Sequence, residues 1–245
     1  MDICACKIYK GGVLVRDYTA VNSPSVGLYD AVSDTVFTNA GGGSFAYGSF
    51  RPDAYTPLEY VECPGDPYIN TGIMGTYSLP IVAKFQPRSD APRFSALLGS
   101  RTSSSSGMCY IQVGNTTRAD VEFSFNFNNA MRGMWTAGSS QTGHDFVVVK
   151  NNNTAALYEN NVSRGVQTVT TPSTFATTYP MYIGAFNNAG GVANKFMGYL
   201  HFVGFGSTAN FVPAKVNGVA GLYDTIADVF YGSETSTPFI AGPEL

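Results

Sequence analysis

Asp120 and Glu122 stand two residues apart in "ADVEF" (Ala119–Phe123). On a β-strand that spacing puts both carboxylates on one face, where a general acid and a second carboxylate could share a substrate. The same spacing also makes an ordinary solvated polar row, and that is the reading adopted. Nucleophilic catalysis has less to work with. Gly-x-Ser-x-Gly does not occur, and His144 and His201 are the only imidazoles. His144 and Asp145 are sequence neighbours entering a strand, where side chains alternate faces, so they do not form a simple dyad. His201 lies in apolar "YLHFVGF" and reads as a packed histidine. "GGG" at Gly41–Gly43 lacks the lysine of a phosphate loop and reads as a turn. No catalytic residue is assigned.

A second constellation suits sugar binding. Glycans are held by aromatic faces against C–H patches and by Asn, Glu and Arg on the hydroxyls. "EFSFNFNNAMRGMW" gathers Glu122, Asn126, Asn128, Asn129, Arg132 and the sole tryptophan, Trp135, along a polar strand face and the loop after it. Arg101, Tyr110, Asn187 and Asn188 join them if their strands lie alongside. A lone Trp also suits a core, and Asn-rich turns also serve backbone geometry.

Metal chemistry is not expected. Asp90, Asp120 and Asp224 are isolated, whereas calcium needs several converging oxygens. No Cys-x-x-Cys pair exists, and both histidines are remote from Cys4, Cys6, Cys63 and Cys109. The cysteines read as buried free thiols. Asn115, Asn152 and Asn161 begin Asn-x-Ser/Thr sequons, read as chance in an Asn/Thr-rich chain.

The elements that must carry these residues are strands. Helical periodicity is almost absent, and short apolar or alternating runs are bounded by Gly, Pro, Asn or Ser. In "ADVEFSFNF", Val121, Phe123, Phe125 and Phe127 point one way and Asp120, Glu122, Ser124 and Asn126 the other. Further candidate strands are "VLVRDY", "LEYVE", "LPIVAKF", "FSALLGS", "MCYIQVG", "DFVVVK", "TAALYE", "PMYIGAF" and "FMGYLHFVGF". Many short strands without crossover helices predict an all-β sandwich of antiparallel sheets.

The chain has 245 residues, 13% charged against a usual fraction of about a quarter, with a net charge of −3. No basic run exists, so the footprint of nucleic-acid binding is missing. No apolar stretch approaches a membrane span of roughly 18 residues, so no membrane insertion is expected. "MDICACKIYKGG" lacks the basic and apolar regions of a signal peptide. "SFRPDAYTP" reads as a linker, dividing the chain into 1–48, a linker at 49–57 and a body at 58–245. The first piece is too small and Gly-rich to build its own core comfortably.

Gly-Leu-Tyr-Asp occurs at Gly27–Asp30 and again at Gly221–Asp224, each time followed by an Asp, an aromatic, a Phe and a Gly in step. With "LEYVECPGDPYINTGI" (Leu58–Ile73), "LLGSR" (Leu97–Arg101) and "YPMYIGAFNNAG" (Tyr179–Gly190), this resembles the laminin-G-like, concanavalin A-like modules of phage tail or fibre proteins and bacterial surface proteins. Such modules open on Leu-Glu-Tyr-Ile-Glu and Tyr-Ile-(Asp/Asn)-Thr-Gly stretches. "CKIYKGGVLVRDY" (Cys6–Tyr18) and "VGLYD…FTNAGGGSFAYG" resemble their usual ending. Residues from about 57 to 245 thus resemble one module with a diverged ending, and 1–48 the tail of a preceding one.

The resemblance implies a jelly roll of two curved antiparallel sheets, here preceded by an extra N-terminal strand segment. It implies no single function, because lectins, glycan hydrolases and spacers share the fold. The family's glucanases carry Glu-x-Asp on a strand, and no Glu here is followed two residues later by Asp. The expected function is therefore a non-catalytic carbohydrate-binding or adhesion module of a phage virion or bacterial surface protein. It needs no cofactor and partners a glycan or host receptor. The alternative is a structural virion or surface protein, homo-oligomeric, whose residues 1–48 pack on the body or add strands to a neighbour.

Overall fold

The computed structural model describes residues 5–10, 13–21, 27–30, 32–33, 35–37, 55–103, 107–114, 120–126, 132–136, 144–168 and 173–245. These residues form strands, bridges and turns with no helix, and thus none long and apolar enough to cross a membrane. The chain divides into two compact units, Met1–Ala54 and Tyr55–Leu245.

The first unit carries a four-stranded antiparallel meander: β1 (Ala5–Lys10), β2 (Val13–Val21), β3 (Gly27–Asp30) and β4 (Thr35–Phe37), hydrogen-bonded in that order.

The second unit runs through β5 (Thr56–Pro57), β6 (Val61–Pro64), β7 (Ile69–Thr76), β8 (Ile81–Pro87), β9 (Ser95–Arg101), β10 (Met108–Val113), β11 (Asp120–Asn126) and β12 (Arg132–Thr136). It continues through β13 (Phe146–Asn151), β14 (Thr154–Glu159), β15 (Val162–Thr168), β16 (Ala176–Ile183), β17 (Phe186–Asn188) and β18 (Gly191–Ala193). It ends with β19 (Met197–Phe205), β20 (Ala209–Val216), β21 (Val219–Asp224), β22 (Val229–Tyr231) and β23 (Ile240–Ala241). Thr56 and Pro57, assigned to the linker on sequence, pair with Lys215 and Ala214 instead.

These strands make two sheets. One has the order β12-β11-β10-β9-β16-β7, with β17 beside β9 and β18 beside β17. The other has the order β15-β14-β13-β8-β19-β20-β21-β22, with β5, β6 and β23 attached. The named strand pairs are antiparallel except β17 with β9. The chain changes sheet at β6 to β7, β7 to β8, β8 to β9, β12 to β13, β15 to β16 and β18 to β19, which makes a two-sheet jelly roll rather than two sequential meanders.

One core lies between the sheets. Ile69, Leu97, Ile111 and Met181 face it from the first sheet, and Phe85, Phe146, Leu200, Phe205 and Leu222 from the second, all 0% exposed. Phe85 stacks on Phe146 with centroids 5.7 Å apart and meets Phe196 edge-on at 6.0 Å. Val121, in the strand predicted from "ADVEFSFNF", is buried in this core.

The repeated Gly-Leu-Tyr-Asp is turn and packing chemistry. A Cβ at Gly221 would lie 2.3 Å from the Tyr231 carbonyl, so glycine lets β22 come close. Leu222 enters the core. Tyr223 stacks on Tyr55 at 4.2 Å and donates its hydroxyl to Asp228. Asp224 accepts from the backbone N–H groups of Asn210 and Ile226, both at 3.0 Å, and so fixes the turn after β21.

The strand register repeats with the motif. In β3–β4 the pairs are Leu28↔Phe37, Tyr29↔Val36 and Asp30↔Thr35; in β21–β22 they are Leu222↔Tyr231, Tyr223↔Phe230 and Asp224↔Val229. Tyr18↔Asp30 in β2–β3 answers to Phe211↔Asp224 in β20–β21. Cys6↔Tyr18, Lys7↔Asp17 and Ile8↔Arg16 answer to Val203↔Phe211, Gly204↔Asn210 and Phe205↔Ala209. Over these pairs the first unit repeats the register of β19–β22, although β1–β2 continues past Ile8↔Arg16 through a bulge to Lys10↔Val13, where β19–β20 ends at Phe205↔Ala209, and β20 shares little sequence with β2.

Candidate functional site

The outer face of the first sheet, away from the core, brings Arg101, Tyr110 and Asn188 together, with Asn187 beside them on the opposite face. β10 alternates: Cys109, Ile111 and Val113 face the core, while Met108 and Tyr110 form a second cluster with Ala96 and Phe186. Opposite Tyr110 stands Gly99, with φ +148°. A Cβ there would come within 2.3 Å of the Tyr110 Cβ and 2.6 Å of the Cys109 carbonyl. The missing side chain lets Tyr110 lie against Phe186, with ring centroids 4.6 Å apart.

Arg101 ends β9 above this pair. Its guanidinium carbon lies 5.3 Å from the Phe186 centroid, within cation–π range. Its Nε donates to Asn188 Oδ1 at 2.8 Å, and its carbonyl accepts from the Ala189 N–H at 2.9 Å. The parallel pairing of β17 with β9 sets Asn188 directly opposite Arg101. Asn187 points the other way and is 1% exposed. Its Nδ2 donates to the Pro180 carbonyl and its Oδ1 accepts from the Gly190 N–H, at 2.9 and 2.8 Å.

The four residues therefore divide. Tyr110, 3% exposed, and Asn187, 1% exposed, are buried beneath the rim. Arg101 and Asn188 reach the surface. The Arg101 Nη1 and Nη2 atoms have no partner among the described residues. Oriented guanidinium and amide donors suit hydroxyls or a carboxylate.

Backbone register locates the remaining candidates. Glu122 is opposite Gln112 and Met134, and Asn126 is opposite Met108, on the rows that run through Tyr110 and its neighbours. Arg132 is opposite Ser124, itself opposite Tyr110. Trp135 is opposite Val121, a core residue, so its position belongs to the other row. Asn128 and Asn129 lie outside the described residues.

Three further features escaped the sequence reading. Lys150, 0% exposed, donates its ammonium to the carbonyls of Thr76, Tyr77 and Leu79 at 2.8, 2.7 and 2.7 Å. Burial pushes its pKa down to about 8. The signal was present: Lys150 follows Phe146 and Val148 at spacing two on one inward row. Glu159, 1% exposed, accepts from His144 Nδ1 and, at 2.5 Å, from Arg164 Nε. Burial pushes this carboxyl up, and the two hydrogen bonds outweigh it, leaving it below its ordinary value. Lastly, an uncharged pocket of about 550 Å³ opens where β7 turns to β8, lined by Ile73, Met74, Thr76, Ser78, Phe205 and Thr208 among others.

Among the described residues, no three His, Cys, Asp or Glu side chains gather as metal ligands. Cys63 and Cys109 are buried free thiols. Burial pushes both upward, Cys109 to about 12.

No family model matches the sequence, and no curated protein matches it. Solved structures do. The CBM40 of a Ruminococcus gnavus IT-sialidase, bound to α2,3-sialyllactose, is 13% identical with a TM-score of 0.44, over 58% of this chain and 85% of that one. Domains LG4–5 of the mouse laminin α1 chain are 16% identical with a TM-score of 0.44, over 77% of this chain and 47% of that one. The native heptameric SAP-like pentraxin of Limulus polyphemus is 14% identical with a TM-score of 0.39, over 62% of this chain and 74% of that one. Likenesses this distant carry no argument about family or ligand, and the fold rests on the strand pairing itself.

Proposed function

We propose that the chain is a non-catalytic carbohydrate-binding or adhesion module of a phage tail or fibre, or of a bacterial surface protein. The ligand contacts the Arg101–Asn188 rim and extends over the rows that hold Arg132, Glu122 and Asn126. One observation carries this reading: a guanidinium held on the Phe186 ring, with both terminal nitrogens open, beside an exposed amide. The phage or bacterial setting is supported by the resemblance of the opening and closing motifs.

The test is a glycan-array screen followed by calorimetry on wild type, Arg101→Ala, Asn188→Ala and Trp135→Ala. Arg101→Ala should weaken any hit about tenfold or more, the worth of one charged hydrogen-bonded contact. Trp135→Ala should lower stability more than affinity. A glycan hit indifferent to Arg101 would refute the assignment of the rim. Reducing-sugar release lost on Glu122→Gln would replace the binding module with a hydrolase. A second reading, a structural surface or virion building block, is favoured by the duplicated meander.

A further inference from the structure

We propose, resting on the carbohydrate-binding reading above, that the pocket between the β7–β8 turn and the β19–β20 turn is a second subsite, which takes one uncharged hexose residue. The pocket holds about 550 Å³, within the range of small-ligand sites. All ten of its lining residues are described, and none is Asp, Glu, Lys, Arg or His. Phe205, 0% exposed, and Ile73 line it from the margin of the core. Met74, Leu79 and Pro80 extend this apolar wall.

Hydroxyls supply the rest. Ser78, Ser207 and Thr208 line the pocket from exposed positions, and their hydroxyls have no partner among the described residues. Each hydroxyl both donates and accepts, so it can meet a sugar hydroxyl in either sense. A hexose offers the matching mixture, with hydroxyls round its edge and C–H patches on its faces. A carboxylate or phosphate would find no cation among the lining residues.

Both walls are built in advance. Lys150 holds the carbonyls of Thr76, Tyr77 and Leu79 at 2.8, 2.7 and 2.7 Å, so the β7–β8 turn is pinned from its buried side by an ammonium that is costly to desolvate. Across the pocket, Gly206 has φ +57°, and a Cβ there would lie 3.0 Å from Pro80 Cδ. Glycine thus lets the β19–β20 turn close against Pro80, and the Thr208 N–H donates to the Phe205 carbonyl at 2.9 Å. A ligand therefore has little wall freedom to remove on binding.

The experiment is methyl NMR on the full chain with isotope-labelled methionine methyls, and the probes are methyl glucoside, methyl galactoside and methyl mannoside. The Met74 signal, assigned through Met74→Leu, reports on the pocket wall and should shift with at least one of them at about millimolar concentration, in keeping with so small a ligand. Thr208→Val and Ser207→Ala, at exposed positions, should each weaken that binding about fivefold, the worth of one neutral hydrogen bond, with the thermal midpoint unchanged. Arg101→Ala should leave it unchanged. The inference is overturned if no hexoside moves the Met74 signal, if both hydroxyl variants bind as tightly as wild type, or if octanol moves the signal and no hexoside does. Loss of the shift in Arg101→Ala would also overturn it and assign the sugar to the rim. A glycan-array hit that depends on Arg101 while Met74 stays silent would refute the second subsite and leave the rim standing.

Discussion

Replacing Lys150 by Met keeps the unbranched stem and removes the three donors. Each stranded carbonyl of Thr76, Tyr77 and Leu79 costs about 2 kcal/mol, or about 6 kcal/mol in all. Against this, the variant no longer buries an ammonium. The fall of its pKa from 10.5 to about 8 corresponds to about 3 kcal/mol at neutral pH. Lys150→Met should therefore destabilise the second unit by about 3 kcal/mol at pH 7. The sign of the pH effect is fixed by linkage. The folded lysine releases its proton near pH 8 and the unfolded one near 10.5, so between these values the unfolded state binds more protons and wild type gains stability. By pH 9.5 the gap to the variant should be about 2 kcal/mol wider. Urea denaturation followed by intrinsic fluorescence at both pH values measures this, provided the m-value is unchanged. Equal stability at pH 7, or a gap that narrows on raising the pH, would refute the carbonyl cage as a structural device.

Gly99→Ala should cost about 2–5 kcal/mol, combining a positive-φ penalty with a clash against Tyr110, and would be read from the thermal midpoint. Glu159→Gln should lower stability by about 2 kcal/mol at pH 7. The Glu159 pKa is lowered on folding, so its contribution is present above the ordinary carboxylate value and lost as pH falls below it. The gap between wild type and variant should close on acidification, and a constant gap would contradict the ion cluster. Cys63 and Cys109 should resist iodoacetamide in the native chain and react only as fast as it unfolds, as peptide mapping by mass spectrometry would show.

Much of the strand content was legible because alternation along a strand is local. In "ADVEFSFNF", Val121 is buried in the core as alternation predicts. "FMGYLHFVGF" and "TAALYE" agree with β19 and β14 to within a residue. β15 escaped notice because it is a polar edge strand, with Val162 and Val166 exposed and no buried row to betray it. β5 escaped because two residues beside a proline carry no pattern. The sheet order was not legible at all: it depends on pairings such as Ser100 with Asn187, 87 residues apart in the chain. That pairing decides which candidates share a surface. Tyr110 and Trp135 are candidates by residue type and spacing, and only register shows that their positions belong to different rows. Lys150 shows the opposite case, where the spacing was correct and the charge disguised it.

The Asn187 side chain, sealed beneath the turn at Ala189 and Gly190, has a consequence for recognition at the rim above it. It stiffens the segment that aligns Asn188 with Arg101 before any ligand arrives. Immobilising one long side chain on association costs about 0.5–1.5 kcal/mol. Here that entropy is lost during folding instead. For the proposed rim, affinity would thus be tied to the buried Asn187, and loosening it would weaken capture by restoring freedom rather than by deleting a contact.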